Sequence, residues 1–315
     1  MEHFKFASAD REHKINAVMW KPEGNPVGIV QLVHGMLEYI ERYDEFAGYL
    51  NSLGFLVVGH DHLGHGGSVD DSTDLGYIAD KKPDVILIKD IHHLRLMVEK
   101  HYPDVPYFMV GHSMGSYLTR RYIARYGDGI RGVVLMGTGD ESGSVILPSL
   151  ALLETIALFK GWRHRSRFIT ELSYIKPYKN FSLHGEDTKN SWLTRDEEEV
   201  KKYYADEKCT FGFTINGYKA LLRTVYLDGK KKNIRKIPKD MAVLFASGDN
   251  DPVGRLGEGT TRAYEKFCRA GILEVRLKLY EGARHELLHE TNRAEVMKDI
   301  GEWLCRYVNP KRKYR

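Results

Sequence analysis

Short, almost continuously apolar runs alternate with longer segments of helical period along most of this sequence, and this alternation constrains the fold more than any other feature. The apolar runs include GIVQLV, GVVLM and MAVLFA, which are rich in β-branched residues. Strands that are apolar on both faces are typical of parallel sheets covered by helices on both sides. The sequence therefore predicts an α/β fold with a mostly parallel, doubly wound sheet.

The positions of these runs also predict how the chain is divided. Strands are predicted at 15–20, 28–33, 55–60, 107–110, 132–136, 241–246 and 274–280. Helices are predicted at 39–53, 84–101, 114–126, 259–270 and 293–307. No core strand is predicted between Gly139 and Pro238. We therefore predict a first part of the core at 1–139, a mainly helical cap insert at 140–238 and a second part of the core at 239–315.

Composition and charge exclude several classes of protein. The chain has 315 residues, of which 42 % are hydrophobic and 29 % charged, as in folded globular proteins and unlike disordered or collagen-like chains. The net charge of +4 is too small to indicate nucleic-acid binding when no basic arm accompanies it. A short basic tail is interpreted as a solvated terminus; it consists of Lys311, Arg312, Lys313 and Arg315.

Cysteine usage and the N-terminal residues bear on the compartment. Cys209, Cys268 and Cys305 are odd in number and widely spaced, which indicates a reducing compartment rather than a disulfide framework. The first residues, MEHFKFASADREHKI, carry charges where a secretory signal would need an apolar run. We therefore expect a cytoplasmic protein.

The predicted insert contains the most apolar segment of the chain, residues 145–159. Pro148 and Glu154 interrupt this segment, and it is shorter than the roughly 18 residues that span a bilayer, so we predict that it does not cross a membrane. An amphipathic stripe at 146–159 could line an acyl channel, dock on micelles or pack on the core. A basic cluster nearby is expected to be a solvated face, with an anionic lipid surface or a phosphate head group as the alternative contact; it comprises Lys160, Arg163, Arg165 and Arg167.

The segment GHSMG, residues 111–115, follows a predicted strand and precedes a predicted helix. A serine on a tight strand-to-helix turn presents its hydroxyl above the sheet, and the turn needs residues without a Cβ two positions away on either side. Gly111 and Gly115 meet this need. Ser113 is therefore the predicted nucleophile, and the alternative is an ordinary glycine turn that contains a bystander serine.

A serine nucleophile needs a histidine base and an acid that orients it. In folds with this turn, the acid follows the strand beyond the insert and the histidine follows the last strand. His285 follows the last predicted strand and is the predicted base, with a surface loop histidine as the alternative. Asp249 and Asp251 both follow the strand beyond the insert, so both are candidates for the acid. We favour Asp251, because it precedes a proline that fixes an extended backbone, whereas Asp249 could cap the turn.

The loop that follows the strand VQLV is the predicted source of a second oxyanion donor. Gly35 allows this loop to turn the amide of Met36 inward. The amide of Met114 lies at a helix N-terminus, where free N–H groups favour developing negative charge. We therefore predict that the Met36 and Met114 amides form the oxyanion hole, and that His34 is a structural hydrogen-bonding residue under the loop.

The segment HDHLGH, residues 60–65, offers four potential metal ligands after a strand. Binuclear metallohydrolases use the order HxHxDH, which this segment does not match, and no later ligand cluster accompanies it. We therefore predict no metal, and expect Asp61 and His65 to brace the loop beneath the site.

Five motifs, in order and spacing, resemble the monoacylglycerol lipase and lysophospholipase branch of the α/β-hydrolase superfamily: HGMLEYIERY, HDHLGHGGS, GHSMGS, GDNDPV and YEGARHELLHE. The resemblance covers nearly all the chain outside the insert. The insert segment WLTRDEEEVKKYYADEKCTFGFT is similar to one common in bacterial members, which implies a bacterial cytosolic enzyme.

The resemblance implies an α/β-hydrolase fold with a cap over an acyl tunnel and cofactor-independent release of a fatty acid from a monoacyl ester. The matching acid is Asp251. The alcohol pocket of relatives uses a glutamate and an arginine that match Glu38 and Arg42. A second histidine there corresponds to His289, at a spacing that differs from the animal enzymes. Relatives specialised for N-terminal proline peptides carry an oxyanion loop rich in glycine and proline. The corresponding loop here, HGMLE, lacks that composition, so the resemblance disfavours peptidase activity.

The predicted function is therefore that of a serine carboxylester hydrolase acting on monoacylglycerol or lysophospholipid through an acyl-enzyme. The alternatives are a general small-ester carboxylesterase, a hydrolase-fold binding protein whose catalysis has decayed, and a metal-dependent hydrolase. The expected partners are a small ester or monoacyl lipid and, through the cap, a membrane or micelle surface, with no nucleic acid.

Overall fold

The computed structural model describes residues 1–173 and 178–308. Within these residues the strands form one eight-stranded sheet in the order β1-β2-β4-β3-β5-β6-β7-β8. They are β1 (Glu2–Ala7), β2 (Lys14–Trp20), β3 (Gly28–Val33), β4 (Phe55–His60), β5 (Tyr107–His112), β6 (Ile130–Met136), β7 (Ala242–Gly248) and β8 (Glu274–Tyr280). The pairs β1/β2 and β2/β4 are antiparallel and the others are parallel. The predicted α/β class with a mostly parallel sheet is confirmed.

The edge strand β1 is absent from the predicted elements. It pairs with β2 from Glu2↔Met19 to Ala7↔Lys14. Only Phe6 among its residues is buried, so β1 lacks the continuous apolar pattern of the central strands. Its signal is the weaker alternation of Phe4 and Phe6 with polar residues, which is typical of a half-exposed antiparallel strand.

Helices cover both faces of the sheet. The core helices are α1 (Asp44–Ser52), α2 (Pro83–His101), α3 (Met114–Tyr126), α9 (Glu258–Arg269) and α10 (Arg293–Val308). Side chains of α1 and α10, such as Phe46 and Trp303, belong to one buried apolar cluster. Side chains of α2, α3 and α9, such as Leu118 and Phe267, belong to the other. The two clusters sandwich the sheet, which is the predicted doubly wound arrangement.

The chain between β6 and β7 contributes no strand to the sheet among the residues described. Its helices are α4 (Gly143–Lys160), α5 (Arg167–Ser173), α6 (Glu197–Ala205), α7 (Ile215–Asp228) and α8 (Lys231–Ile234). Helix α7 packs against α2, α3 and α4, and so connects this segment to the core. The boundaries 140 and 238 of the predicted cap stay a prediction.

The prediction that the apolar segment at 145–159 is too short to span a bilayer was wrong as to length, because α4 continues through Pro148 and Glu154 over 18 residues. Pro148 lies on the exposed side of α4, where water can satisfy the carbonyl that loses its helical partner. Nor is the helix amphipathic, since Leu158 and Phe159 are exposed while Leu153 is buried. Among the residues described, α4 is the one helix that is long and apolar enough to span a membrane, as judged from length and composition alone.

The basic cluster after α4 is only partly a solvated face. The guanidinium of Arg163 pairs with Asp74 and lies 3.9 Å from the ring centroid of Tyr77. Arg165 Nη2 donates to the carbonyl oxygens of Thr73 and Leu75, each at 2.8 Å. These two arginines therefore tie the insert to a core loop. The basic tail that contains Lys311, Arg312, Lys313 and Arg315 lies outside the described residues.

Candidate active site

Ser113 stands alone between the last residue of β5 and the first residue of α3. Its φ of 50° and ψ of −121° give the strained backbone of a sharp turn. A Cβ at Gly115 would overlap the carbonyl oxygen of Val33, and one at Gly111 would lie 2.6 Å from the carbonyl oxygen of Gly115. Both positions therefore require glycine, as the GHSMG motif predicts.

His285 and Asp251 form a buried pair in the loops that follow β8 and β7. His285 Nδ1 lies 3.1 Å from Asp251 Oδ1, and both residues are at most 2 % exposed. The same carboxylate accepts from the backbone N–H of Val253 at 2.9 Å, which fixes its orientation. Because an ionised carboxylate only accepts, Nδ1 carries the proton and Nε2 is left with a lone pair. His285 and Ser113 line the same cavity.

Asp249, the second aspartate considered for the acid, is turned elsewhere. Its Oδ1 accepts from the backbone N–H of Gly282 at 2.7 Å, which makes it a turn cap. The structure therefore brings Asp251 rather than Asp249 to His285.

The two residues predicted to supply oxyanion amides lie beside Ser113. Met114 is the first residue of α3, and Met36 lines the same cavity as Ser113 and His285. The loop of Met36 turns at Leu37, whose φ is 58°. Gly35 has its backbone N–H bonded to the Glu38 carboxylate, which anchors the loop from below.

Glu38 is the centre of a buried charged network. Its Oε1 accepts from His112 Nδ1 at 2.8 Å and from the Tyr43 hydroxyl at 3.1 Å. Burial would raise the pKa of Glu38, but the charges of His112 and Arg42 outweigh burial and lower it. Burial would likewise lower the pKa of His112, but the Glu38 carboxylate raises it. The two groups therefore form an ion pair directly behind the serine turn.

Arg42 is bound mainly by a residue that was not predicted. Its Nη1 and Nη2 donate to the two carboxylate oxygens of Glu286, each at 2.8 Å, whereas Glu38 Oε2 is 3.4 Å away. Burial would raise the pKa of Glu286, but the Arg42 guanidinium outweighs burial and lowers it to about 2. Glu286 is adjacent in sequence to His285, and this adjacency is the signal that could have drawn attention to it.

His289 lies at the far side of this network. Its Nδ1 is 3.4 Å from Glu286 Oε2, and its Nε2 is 3.3 Å from the carbonyl oxygen of Arg42. Burial lowers the pKa of His289. It lines a small cavity with Glu38 and His112, beside the cavity of Ser113 and not within it. His289 therefore contacts the charged network, and reaches Ser113 only through it.

Two cavities meet at Ser113. The larger has a volume of about 330 Å³ and runs beneath the insert. Its lining is mostly apolar and includes Leu152, Leu153, Ile169, Leu221, Leu222 and Val225. The smaller has a volume of about 30 Å³ and a mixed lining, in which Glu38, His112 and Glu286 lie beside Leu37, Trp192 and Leu193. An apolar chain fits the first, and a polar part of a substrate would meet the charged residues of the second.

The histidines beneath the oxyanion loop are buried and structural. His34 Nδ1 is 2.7 Å from the carbonyl oxygen of Gly35, and His65 Nδ1 is 3.0 Å from that of Leu63. Burial lowers the pKa of His34 to about 3 and that of His65 to about 4, so both are neutral. Over the described ranges, no group of three or more histidine, cysteine or acidic side chains is arranged to hold a metal ion.

Asp61 holds the same region together. It accepts from the backbone N–H groups of Ile40 and Gly67, each at 2.7 Å, and from Asn16 Nδ2 at 2.9 Å. These bonds join β2, the loop after β3 and the loop after β4. Asp61 therefore braces the loops under the site.

Comparisons with known proteins agree with this geometry. A family model described as "Serine aminopeptidase, S33" matches residues 24–292. A monoglyceride lipase homolog from Monkeypox virus is 31 % identical over 92 % of this chain and 93 % of its own. The monoglyceride lipase of Rattus norvegicus is 29 % identical over 92 % of this chain and 86 % of its own.

A solved structure is similar along almost the whole chain. It is that of a highly thermostable carboxyl esterase from Bacillus coagulans in complex with glycerol, with a TM-score of 0.87 and 29 % identity over 98 % of this chain and 99 % of that one. The resemblance that the five sequence motifs carry is thus confirmed. The chain therefore belongs to the serine aminopeptidase S33 family, a group of serine hydrolases with the α/β-hydrolase fold.

Proposed function

We propose that this protein is a serine carboxylester hydrolase that cleaves monoacyl lipid esters through an acyl-enzyme, with monoacylglycerol as the preferred class. The observation that carries this proposal is the meeting at Ser113 of a larger, mostly apolar cavity and a smaller one bordered by Glu38, His112 and Glu286. The smaller cavity is also lined by a histidine whose Nδ1 is bonded to a buried aspartate. Such an arrangement matches an ester that has one long apolar arm and one hydroxylated arm.

In the proposed mechanism, Ser113 Oγ attacks the ester carbonyl while His285 Nε2 takes its proton. The amides of Met36 and Met114 stabilise the oxyanion, and Asp251 stabilises the imidazolium. His285 then returns the proton to the departing alcohol, which leaves an acyl group on Ser113. Water, activated by the same histidine, releases the fatty acid and restores the serine. These steps use side chains and backbone amides of this chain and need no cofactor.

The charges beside the smaller cavity favour an uncharged alcohol over an anionic one. Glu38 and Glu286 both border this cavity, and Arg42 is held between their carboxylates. The guanidinium is therefore already paired, as is His112 with Glu38, so a phosphate head group would lose its hydration without gaining a free cation from either group. This argument favours monoacylglycerol over lysophospholipid, the other substrate class that the motifs imply.

A matched pair of substrates tests this assignment. We expect kcat/KM for 1-decanoylglycerol to exceed that for 1-decanoylglycerol 3-phosphate by at least about tenfold, because the added phosphate loses its hydration beside cations that are already paired. Both esters share the acyl chain and the glycerol, so the head group is the only variable. Equal or faster cleavage of the phosphate ester would indicate a lysophospholipase. Cleavage of p-nitrophenyl acetate without cleavage of either decanoyl ester would indicate a general small-ester carboxylesterase. No turnover of any of these esters would indicate a binding protein.

We further propose that the outer face of α4 contacts a membrane or micelle surface from which the lipid substrate is taken. Leu158 is 81 % exposed and Phe159 is 77 % exposed, and Phe168 on the next helix, α5, is also exposed. Lys160 and Arg167 are exposed near these apolar side chains and would lie at the level of lipid head groups. The apolar cavity opens beneath the same helix.

The double variant Leu158→Glu with Phe159→Glu is expected to lower the partition coefficient on neutral phosphatidylcholine vesicles by about tenfold or more, since each buried side chain contributes roughly 1.5–3 kcal/mol. Vesicle sedimentation measures this coefficient. Hydrolysis of soluble p-nitrophenyl butyrate should be unchanged. The matched control is Leu273→Glu, because Leu273 is 76 % exposed and precedes β8 in the core. An equal loss of binding in the control would contradict a specific role for α4.

We also propose a cytoplasmic location. All three cysteines are free, Cys209 in the interior and Cys268 and Cys305 at the surface. Exposed free thiols are common in proteins of a reducing compartment and uncommon in secreted ones.

A further inference from the structure

The insert places an aromatic ring against the predicted base. The indole ring of Trp192 and the imidazole ring of His285 are stacked, with centroids 5.2 Å apart and an interplanar angle of 30°. Trp192 also lines both cavities that meet at Ser113. Trp192 is the first residue of the insert segment WLTRDEEEVKKYYADEKCTFGFT, but that segment did not indicate this contact, because the contact joins parts of the chain that are far apart in sequence.

The backbone on either side of Trp192 is fixed to the loop that carries His285. We call residues 191–195 the strap and residues 284–290 the base loop. The backbone N–H of Glu286 donates to the carbonyl oxygen of Leu193 at 2.7 Å. The hydroxyl of Thr194 donates to the carbonyl oxygen of His289 at 2.9 Å. The strap is therefore positioned by the base loop itself.

Side chains reinforce the attachment of the strap. Arg195 Nε donates to Glu290 Oε2 at 2.9 Å, and Glu290 is fully buried. Arg284 Nη1 donates to the carbonyl oxygen of Thr194 at 3.2 Å. The indole also packs edge-on against the ring of Tyr178, with centroids 5.5 Å apart. The ring is thus held rigidly against the imidazole.

The charges around His285 explain why an aromatic face is useful there. Asp251 faces the ring at Nδ1, and the ring of His112 lies with its centroid 4.8 Å from that of His285. His112 is paired with Glu38 and carries positive charge when it is protonated. A second imidazolium forming on His285 is repelled by that charge. The face of an indole is the aromatic surface that attracts a cation most strongly.

We propose that Trp192 is a positioning residue that stacks on His285 and stabilises the imidazolium formed when the base takes the proton of Ser113. This inference rests on the proposed function. Stacking also helps to hold the imidazole in the orientation in which Nδ1 meets Asp251. The insert therefore contributes to the chemistry as well as to the cover over the acyl cavity.

The test compares Trp192→Leu, Trp192→Phe and wild type with p-nitrophenyl acetate, whose acyl group is too short to depend on the acyl cavity. In Trp192→Leu, kcat should fall about five- to tenfold with KM changed less than twofold, since a desolvated cation–π contact is lost. The acidic limb of the pH profile of kcat/KM should move to lower pH by about half to one unit, because the imidazolium is less stable. Trp192→Phe should restore most of kcat and return the limb toward its wild-type position.

The matched control is Trp162→Leu, which removes an insert indole that lies under the ammonium of Lys219, 3.9 Å from the ring centroid, away from His285. It should keep the wild-type pH profile. An unmoved acidic limb in Trp192→Leu, or a change confined to KM, would overturn the role of Trp192. In that case Ser113→Ala separates the outcomes: if this variant is inactive, the proposed function stands without the stacking role, and if it is active, the proposed function fails.

Discussion

Replacing Ser113 with alanine is expected to lower kcat for ester hydrolysis by about 10⁴- to 10⁶-fold, the largest effect of any single substitution in this chain. The change removes the only atom that can form the acyl bond. It leaves the oxyanion amides, the cavities and the His285–Asp251 pair in place, so KM should change little. The assay is release of p-nitrophenol from p-nitrophenyl butyrate.

The fold of this variant should be preserved. Alanine and serine tolerate a φ of 50° about equally, so the strained turn is neither relieved nor worsened. Thermal unfolding should therefore give the wild-type Tm to within a few degrees. A variant with wild-type Tm that keeps more than about a tenth of the wild-type kcat would contradict the assignment of the nucleophile.

Asp251→Asn is expected to lower kcat by about 10³- to 10⁴-fold. The buried carboxylate holds the proton on His285 Nδ1, and an amide that donates to Nδ1 would favour the other tautomer and leave no base facing Ser113. The matched control is Asp249→Asn, two residues away on the same turn. Its amide oxygen can still accept from the N–H of Gly282, so kcat should stay within about threefold of wild type. Steady-state kinetics of the two variants on one ester gives the comparison.

The reverse pattern would contradict the account. If Asp249→Asn were inactive and Asp251→Asn active, the acid would be the other aspartate of the turn. If both were active, the orienting group would lie elsewhere in the chain. The wild-type Tm is the required control for Asp251→Asn, because removing a fully buried charge beside a histidine can also affect stability.

The serine turn and the sheet could be predicted because their signals are local. The glycines at 111 and 115 flank Ser113, and the central strands are almost continuously apolar and are buried at every position. Helix α3 was predicted with the bounds that the structure has, Met114–Tyr126. In contrast, β1 is stabilised by pairing with β2 at the sheet edge and carries little apolar signal of its own.

Features that depend on contacts between distant segments could not be predicted in the same way. The pairing of Arg42 with Glu286 joins residues 244 positions apart, and the bonds from Arg165 to Thr73 join residues 92 positions apart. The continuity of α4 through Pro148 depends on that residue facing solvent, which the sequence does not specify. Periodicity and short motifs describe a segment by itself, so the charged network and the strap emerge only from the tertiary structure.

The most direct test of the central claim identifies the atom that is acylated. Wild-type protein is treated with a fluorophosphonate, which reacts with activated serines, and the modified peptide is located by mass spectrometry while residual ester hydrolysis is followed. The account predicts a single adduct on Ser113, with activity lost in proportion to its formation and no adduct in Ser113→Ala. Unmodified Ser113 in fully inactivated protein, or full activity with Ser113 modified, would contradict it.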